Sequence, residues 1–147
     1  MNTLSNFDIL DILEEYNLNY YFGGIFSKDK LPPILKRNKF YIINLDDEKG
    51  AGTHWTALYY NKPLDSIYFD PFGFVAPVDV ERIIKPYYYN DDQIQNIETS
   101  SCGFYCIAFI KFLHDKQDKK AAFKMFIKLF KMNTIENEKV LYHILYK

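Results

Sequence analysis

The chain has 147 residues, with 18 basic and 19 acidic side chains, 48% hydrophobic residues, and only 6 Gly and 6 Pro. This composition excludes a disordered, collagen-like or disulfide-scaffold protein, and the length predicts a single domain over residues 1–147. A net charge of −1 excludes nucleic-acid binding through the overall charge of the molecule. No apolar run approaches the roughly 20 residues that a membrane span needs, so we expect a soluble, intracellular protein without membrane contact.

The N-terminal part of the chain predicts one helix followed by loops and a strand. Apolar residues recur at helical spacing in Asn6–Tyr16, which predicts a short amphipathic helix. The pairs Gly23-Gly24 and Pro32-Pro33 predict a passage rich in loops. Lys39–Leu45 is typical of a buried strand, and the polar, glycine-containing segment Asp46–Thr53 predicts a loop.

The middle of the chain carries most of the strand signals. His54–Tyr60 and Ser66–Asp70 are aromatic and β-branched and flank a turn-like segment, so they predict a β-hairpin. Val78–Tyr87 predicts a short helix, because acidic residues lie in its first turn and a proline precedes it. Gln93–Ile97 is short enough to be an edge strand.

Three further helices are predicted in the C-terminal third. Cys102–His114 is apolar almost all round, which is typical of a buried central helix, and Thr99–Ser101 supplies candidate caps. Ala121–Lys131 and Asn137–Tyr146 have amphipathic patterns. Strands in the middle of the chain with helices at both ends indicate an α+β fold.

Two cysteines, Cys102 and Cys106, lie four residues apart, which favours free thiols in a reducing compartment. Cys102 falls in the first turn of the predicted helix, where unpaired N–H groups and the helix dipole stabilise a thiolate, and Gly103 leaves room for a substrate backbone. The alternative is that Cys102 is a small core residue, as we expect for Cys106. No metal site is expected, because a Cys-x3-Cys pair needs further ligands and His114 lies too far along the helix.

Among the three histidines, His54 is the candidate base because it opens a strand directly after a glycine-containing loop. A three-residue hairpin loop at Asn61–Pro63 would place His54 opposite Asp70, and a Cβ separation of about 4.5–5.5 Å suits an imidazole–carboxylate hydrogen bond. With Cys102 as nucleophile, these residues form a cysteine-hydrolase triad.

Such a site also needs a second donor for the oxyanion. The backbone N–H of Cys102 supplies one donor, and Gln95, seven residues upstream on the predicted edge strand, is the candidate for the other. Gln93 is a weaker candidate, and the alternative for either glutamine is a solvated loop residue.

The order and spacing of these residues resemble adenain, the adenovirus-type cysteine endopeptidase, whose clan includes the SUMO- and ubiquitin-like deconjugating proteases. The resemblance covers roughly residues 20–112, and the compact chain, whose basic residues are almost all lysine, looks like the proteases of virophages and Maverick-type elements such as mavirus. Three motifs carry it: Gly52-Thr53-His54-Trp55, Asp70-Pro71-Phe72-Gly73-Phe74 and Gln95-x6-Cys102-Gly103.

This resemblance implies a central mixed β-sheet packed against the nucleophile-bearing helix. It also implies His54 as base, Asp70 (glutamate in adenain) as its orienter, Gln95 in the oxyanion hole and Cys102 as nucleophile. A narrow, glycine-preferring cleft bordered by Trp55 would cut capsid or other virion precursors, in the virion or in the host-cell cytoplasm.

The chain departs from adenain in two respects. It is shorter and lacks adenain's strong basic charge, and no cysteine remains to bind an activating peptide through a disulfide, so we expect no cofactor. Lysines crowd Lys116–Lys131, which predicts a solvated helix face, with a weak DNA contact as the alternative. Two other functions stay open: an isopeptidase acting on ubiquitin-like proteins, and a catalytically silent binding module on this fold.

Overall fold

Five strands form one mixed sheet in the computed structural model, which describes residues 2–46, 54–62 and 65–146. Their order in the sheet is the same as their order in the chain, with the first and last pairs parallel and the two middle pairs antiparallel. In chain order the strands are β1 Phe22–Ser27, β2 Lys39–Asn44, β3 Trp55–Tyr60, β4 Ile67–Phe69 and β5 Tyr88–Tyr89.

Helices cover both faces of this sheet. In chain order they are α1 Asn6–Glu15, α2 Val78–Ile84, α3 Cys102–Leu113, α4 Lys119–Lys128 and α5 Asn137–Tyr146. The larger core lies between one face and α1, α3, α4 and α5, whereas α2 closes a smaller core on the other face. Because both faces are covered, β2 and β3 are apolar along most of their length instead of alternating with polar residues.

The central helix α3 lies in the larger core, as its apolar sequence predicts. Nine of its 12 residues are buried. The ring of Phe109 stacks on that of Phe69 in β4 with a centroid distance of 5.3 Å, and Phe123 and Phe126 of α4 contact Phe109 edge-on. These contacts fix α3 against the sheet and leave Cys102, its first residue, next to the start of β3.

The passage predicted as a loop around Gly23-Gly24 is instead the parallel strand β1, so this prediction was wrong. Glycine permits the strand here for two reasons. A Cβ at Gly23 would lie 2.4 Å from the Tyr41 ring, and Gly24 has a φ of 145° where the register with β2 shifts. Sequence alone reads such a pair as a turn, because the ring that requires the glycine lies on the neighbouring strand.

Two boundaries after β4 also differ from expectation. The helix predicted to reach Tyr87 ends at Ile84, since the residue before Pro86 avoids helical conformation. The short strand β5 then pairs with β4, and the predicted edge strand Gln93–Ile97 is irregular. Its backbone N–H groups at positions 94 and 95 both donate to the Pro71 carbonyl and not to a neighbouring strand.

Part of the sequence-based prediction falls outside the described residues. This applies to positions 47–53 of the predicted loop and to positions 63 and 64 of the hairpin turn. Among the helices that the structure describes, none has the length and apolar character to span a bilayer.

Candidate active site

The imidazole of His54 and the carboxylate of Asp70 meet at one end of the central strands. His54 directly precedes β3, Asp70 directly follows β4, and Nε2 lies 2.8 Å from Oδ1. The Asp70 side chain is fully buried, whereas that of His54 is 16% exposed. A buried carboxylate thus holds a partly accessible imidazole, which is the arrangement that orients a histidine base.

The strand register that joins these two residues is not the predicted one. Ala57 pairs with Phe69 and Leu58 with Tyr68, so the register differs by two residues and His54 lies diagonally from Asp70. A shift of two keeps every side chain on its predicted face, and diagonal neighbours stay within reach of long side chains. The structure therefore brings the predicted pair together, although the predicted register was wrong.

Asp70 is held in place by two residues that the sequence analysis did not single out. Its Oδ1 also accepts the backbone N–H of Phe72 at 2.8 Å, and the Phe72 ring stacks on the His54 ring with centroids 4.6 Å apart. The buried Asn90 side chain donates to the Asp70 carbonyl at 2.8 Å and accepts the Asp70 N–H at 3.3 Å. The motif after Asp70 could have pointed to Phe72, whereas Asn90, 20 residues away, carries no local signal.

Cys102 is the first residue of α3 and lies against the start of β3. Its Sγ accepts the backbone N–H of Trp55 at 3.4 Å, and the residue is 3% exposed with a free thiol. Because Asp70 occupies Nε2 of His54, Nδ1 is the ring atom left for the thiol. This Nδ1 is buried and has no hydrogen-bond partner in the described part of the chain. The Trp55 N–H therefore helps to fix the position of the sulfur beside the imidazole.

The two groups around the imidazole control its protonation. Burial lowers the pKa of His54, but the hydrogen bond to Asp70 and the nearby Cys102 side chain, together with the charges of both groups, outweigh burial and raise the pKa from 6.5 to about 9. The protonated imidazole is therefore the favoured form at neutral pH. A thiolate beside an imidazolium is the reactive state of a cysteine nucleophile.

Gln95 is fully buried in the loop that leads to α3. Its Nε2 donates to the carbonyl of Thr99 at 3.1 Å and contacts the Thr99 hydroxyl at 3.0 Å, while its Oε1 has no partner within the described segments. The Gln95 side-chain amide is thus held by Thr99, which lies three residues before Cys102. The role of Gln95 as an oxyanion donor stays a prediction. Gln93, in contrast, is exposed and donates to the Gln95 carbonyl.

The two predicted substrate-binding residues are covered by Leu4, which precedes α1. The Trp55 indole is 2% exposed and its Nε1 donates to the Leu4 carbonyl at 2.9 Å. A Cβ on Gly103 would lie 3.1 Å from the Leu4 side chain. In this structure the Trp55 side chain therefore does not border an open cleft, and substrate contact by either residue stays a prediction.

The other candidate residues lie away from the triad chemistry. Cys106 is completely buried in the larger core, and burial raises the pKa of its thiol. His114 ends α3 and packs against Tyr21, and His143 is exposed on α5. No group of three His, Cys, Asp or Glu side chains suited to a metal ion occurs among the residues described.

Comparisons with known proteins give matches both in sequence and in structure. The protease of Bovine adenovirus C serotype 10 is 25% identical over 111 residues, which cover 61% of this chain and 56% of that protein. Crystal structures of an ASFV protease, in selenomethionine and native forms, match with TM-scores of 0.65 and 0.60. The chain is similar to viral proteases.

The identities and coverages of these matches determine how much can be concluded from them. The ASFV structures are 17% and 18% identical and cover 99% of this chain and 67% and 68% of theirs, which confirms the predicted α+β fold with a mixed sheet. The chain spans about half the length (56%) of the adenovirus protease. No protein-family model matches.

Proposed function

We propose that the chain is a cysteine endopeptidase of the adenain type, with Cys102 as nucleophile, His54 as general base and acid, and Asp70 as its orienter. One observation carries the proposal: Nε2 of His54 is bound to the buried Asp70, while the Cys102 sulfur accepts the backbone N–H of Trp55, the residue after His54. The similarity to an adenovirus protease supports it.

Each bond-making step uses the free ring nitrogen of His54. The Cys102 thiol gives its proton to Nδ1, and the thiolate attacks the carbonyl carbon of the scissile peptide bond. When the C–N bond breaks, Nδ1–H protonates the leaving amine and the acyl group stays on sulfur as a thioester. Water then attacks the thioester, Nδ1 takes its proton, and cleavage of the C–S bond regenerates the thiolate–imidazolium pair.

The oxyanion formed in both attacks would be stabilised by the first turn of α3. The Cys102 N–H is the first donor, and the side-chain amide of Gln95 is the second. Use of the Gln95 amide requires its Nε2 to keep one hydrogen for the substrate while Thr99 accepts the other.

The natural substrates would be capsid or other virion precursor proteins, cut after glycine-containing motifs in the virion or the infected cell. The adenovirus and ASFV relatives make a viral role the natural context, and the lysine-rich composition favours a virophage or Maverick-type source. Several lysines of the segment Lys116–Lys131 already contact carbonyls or rings, so a DNA contact there would be weak and is not required for activity.

A peptide-cleavage assay tests this proposal directly. Purified enzyme under reducing conditions, without DNA or added peptide, is expected to cleave a fluorogenic peptide with glycine before the cut. Cys102→Ala should abolish turnover, and Cys106→Ala, the matched buried thiol, should retain it. Cleavage of ubiquitin-like fusions but of no capsid-precursor peptide would favour an isopeptidase. A lack of selective Cys102 labelling by iodoacetamide would favour a silent binding module.

A further inference from the structure

Two serines stand directly before helices in this chain, and they adopt different conformations. Ser5 precedes α1 with φ −85° and ψ 171°, and its hydroxyl oxygen accepts the backbone N–H of Asp8, as an N-cap normally does. Ser101 precedes α3 with φ −89° and ψ 10°, and its side chain does not cap the helix. Because ψ of Ser101 turns the peptide plane that carries the Cys102 N–H, this angle decides where the first oxyanion donor points.

The Ser101 side chain is engaged by the last helix. Its hydroxyl donates to Oε1 of Glu138 at 2.5 Å, and the Tyr105 hydroxyl donates to Oε2 of the same carboxylate at 2.8 Å. Both hydroxyl-bearing residues are fully buried. Hydrogen bonds to a carboxylate are about twice as strong as neutral ones, so this contact competes effectively with capping. The Ser101 side chain therefore does not accept an N–H of the first turn of α3.

Asn137, the residue before Glu138 in α5, contacts the loop that carries Gln95, the second proposed oxyanion donor. The buried Asn137 donates from Nδ2 to the carbonyl of Ile94, the residue before Gln95, at 2.8 Å. Its amide also bonds to both backbone groups of Lys131, which fixes its orientation. The start of α5 therefore contacts both the loop that carries Gln95 and the residue that aims the Cys102 N–H.

We propose that Glu138 is a positioning residue: by drawing the Ser101 hydroxyl away from the helix it holds the Ser101–Cys102 peptide with its N–H directed at the substrate oxyanion. This inference rests on the proposed function. Without Glu138, Ser101 is free to take the extended, capping conformation that Ser5 shows, which would rotate the Cys102 N–H and place the hydroxyl oxygen beside the oxyanion.

The test compares Glu138→Ala with the double variant Ser101→Ala/Glu138→Ala. Glu138→Ala is expected to lower kcat by about 10- to 100-fold with little change in KM, because it misdirects one of two donors. The affinity for a peptide aldehyde, whose hemithioacetal oxygen occupies the oxyanion site, should fall by a similar factor. The double variant should recover most of the lost activity, because alanine at position 101 cannot cap. If Glu138→Ala does not fold, Glu138→Leu, which fills a similar volume but accepts no hydrogen bond, takes its place.

Two controls separate positioning from a general structural role. Tyr105→Phe removes the second hydrogen bond to Glu138 but keeps the Ser101 contact, so kcat should stay within about threefold of wild type while stability falls. The rate of Cys102 alkylation by iodoacetamide involves no oxyanion and should be unchanged in Glu138→Ala.

The outcomes divide cleanly between this inference and the proposed function. A wild-type enzyme that neither cleaves peptides nor binds the aldehyde overturns the proposed function and this inference with it. If the wild type is active, any of three results overturns the inference but not the proposed function. These are a Glu138→Ala variant as active as the wild type, a rate of Cys102 alkylation that falls in parallel with kcat, and a double variant as impaired as Glu138→Ala.

Discussion

Replacement of Asp70 by asparagine tests how the site keeps His54 protonated. The two side chains have the same shape, and the asparagine oxygen can still accept the His54 Nε2–H and the Phe72 N–H that Oδ1 accepts now. The substitution therefore removes the charge and keeps the orientation. Since Asp70 contributes to raising the His54 pKa to about 9, we expect the pKa to fall toward its ordinary value of 6.5.

The expected loss of activity depends strongly on pH. In the wild type, with a His54 pKa of about 9, about 90% of the enzyme carries the imidazolium at pH 8. In Asp70→Asn, with a pKa near 6.5, only about 3% does, so kcat/KM at pH 8 should fall about 30-fold. At pH 6 the same calculation gives less than about a twofold loss. The measurement is a profile of kcat/KM from pH 5 to 10, with the exposed Asp91→Asn as the matched control. An alkaline limb in Asp70→Asn that coincides with the wild-type limb would refute the reasoning.

The same linkage appears in the stability of the fold. A histidine whose pKa is raised on folding stabilises the native state fully below its unfolded pKa of 6.5, and this contribution is lost as the pH rises through about 9. A shift of this size corresponds to about 3 kcal/mol. Urea unfolding of the wild type should show a decrease of up to this amount between pH 6.5 and 9 that Asp70→Asn lacks. The same pH dependence of the free energy of unfolding in the wild type and in Asp70→Asn would contradict this prediction.

Four further substitutions test the roles of the remaining residues. Gln95→Ala should lower kcat by about 10²–10³ with KM little changed, whereas Gln93→Ala should be nearly silent in the same assay; the reverse result would exchange their roles. Phe72→Leu keeps the backbone N–H to Asp70 but loses the stacking on His54, so kcat/KM should fall by about 3- to 10-fold, and an unchanged value would make the stacking irrelevant. Cys106→Ala should lower the free energy of unfolding by about 1–2 kcal/mol in urea titrations; a fully stable variant would contradict its place in the core.

The parts of the fold that could be predicted are those whose signal is local. The helix α3 and the strands β2 and β3 could be predicted from their apolar sequences, because long apolar segments are almost always buried in a core. The His54–Asp70 pair survives a wrong register because strand side chains alternate with period two. A register error of one residue would have placed the two side chains on opposite faces of the sheet. The pair was therefore found because the register error was an even number of residues, and not because the assumed loop length was right.

The contacts that could not be predicted join residues far apart in sequence. Asn90 binds the backbone of Asp70 across 20 positions, and Glu138 reaches Ser101 across 37. Neither residue belongs to a motif, and a glutamate in the first turn of an amphipathic helix is ordinarily explained by the helix dipole. Ser101 was one of three candidate caps of α3, and its contact with Glu138 explains why its side chain does not cap the helix.

Segments near both ends of the sequence meet at the nucleophile. The Leu4 side chain packs against Gly103, and the Leu4 carbonyl accepts the indole N–H of Trp55, whose backbone N–H contacts the Cys102 sulfur. Glu138 binds the hydroxyl of Ser101, the residue before Cys102. Both cysteines of the chain are free thiols, so hydrogen bonds and packing must supply the rigidity of this region without a disulfide. The position of Cys102 is therefore set by contacts from the segment before α1 and from the start of α5 as well as by α3. Because α5 also packs Leu141 and Leu145 into the larger core, one helix joins the core to the residue before the nucleophile.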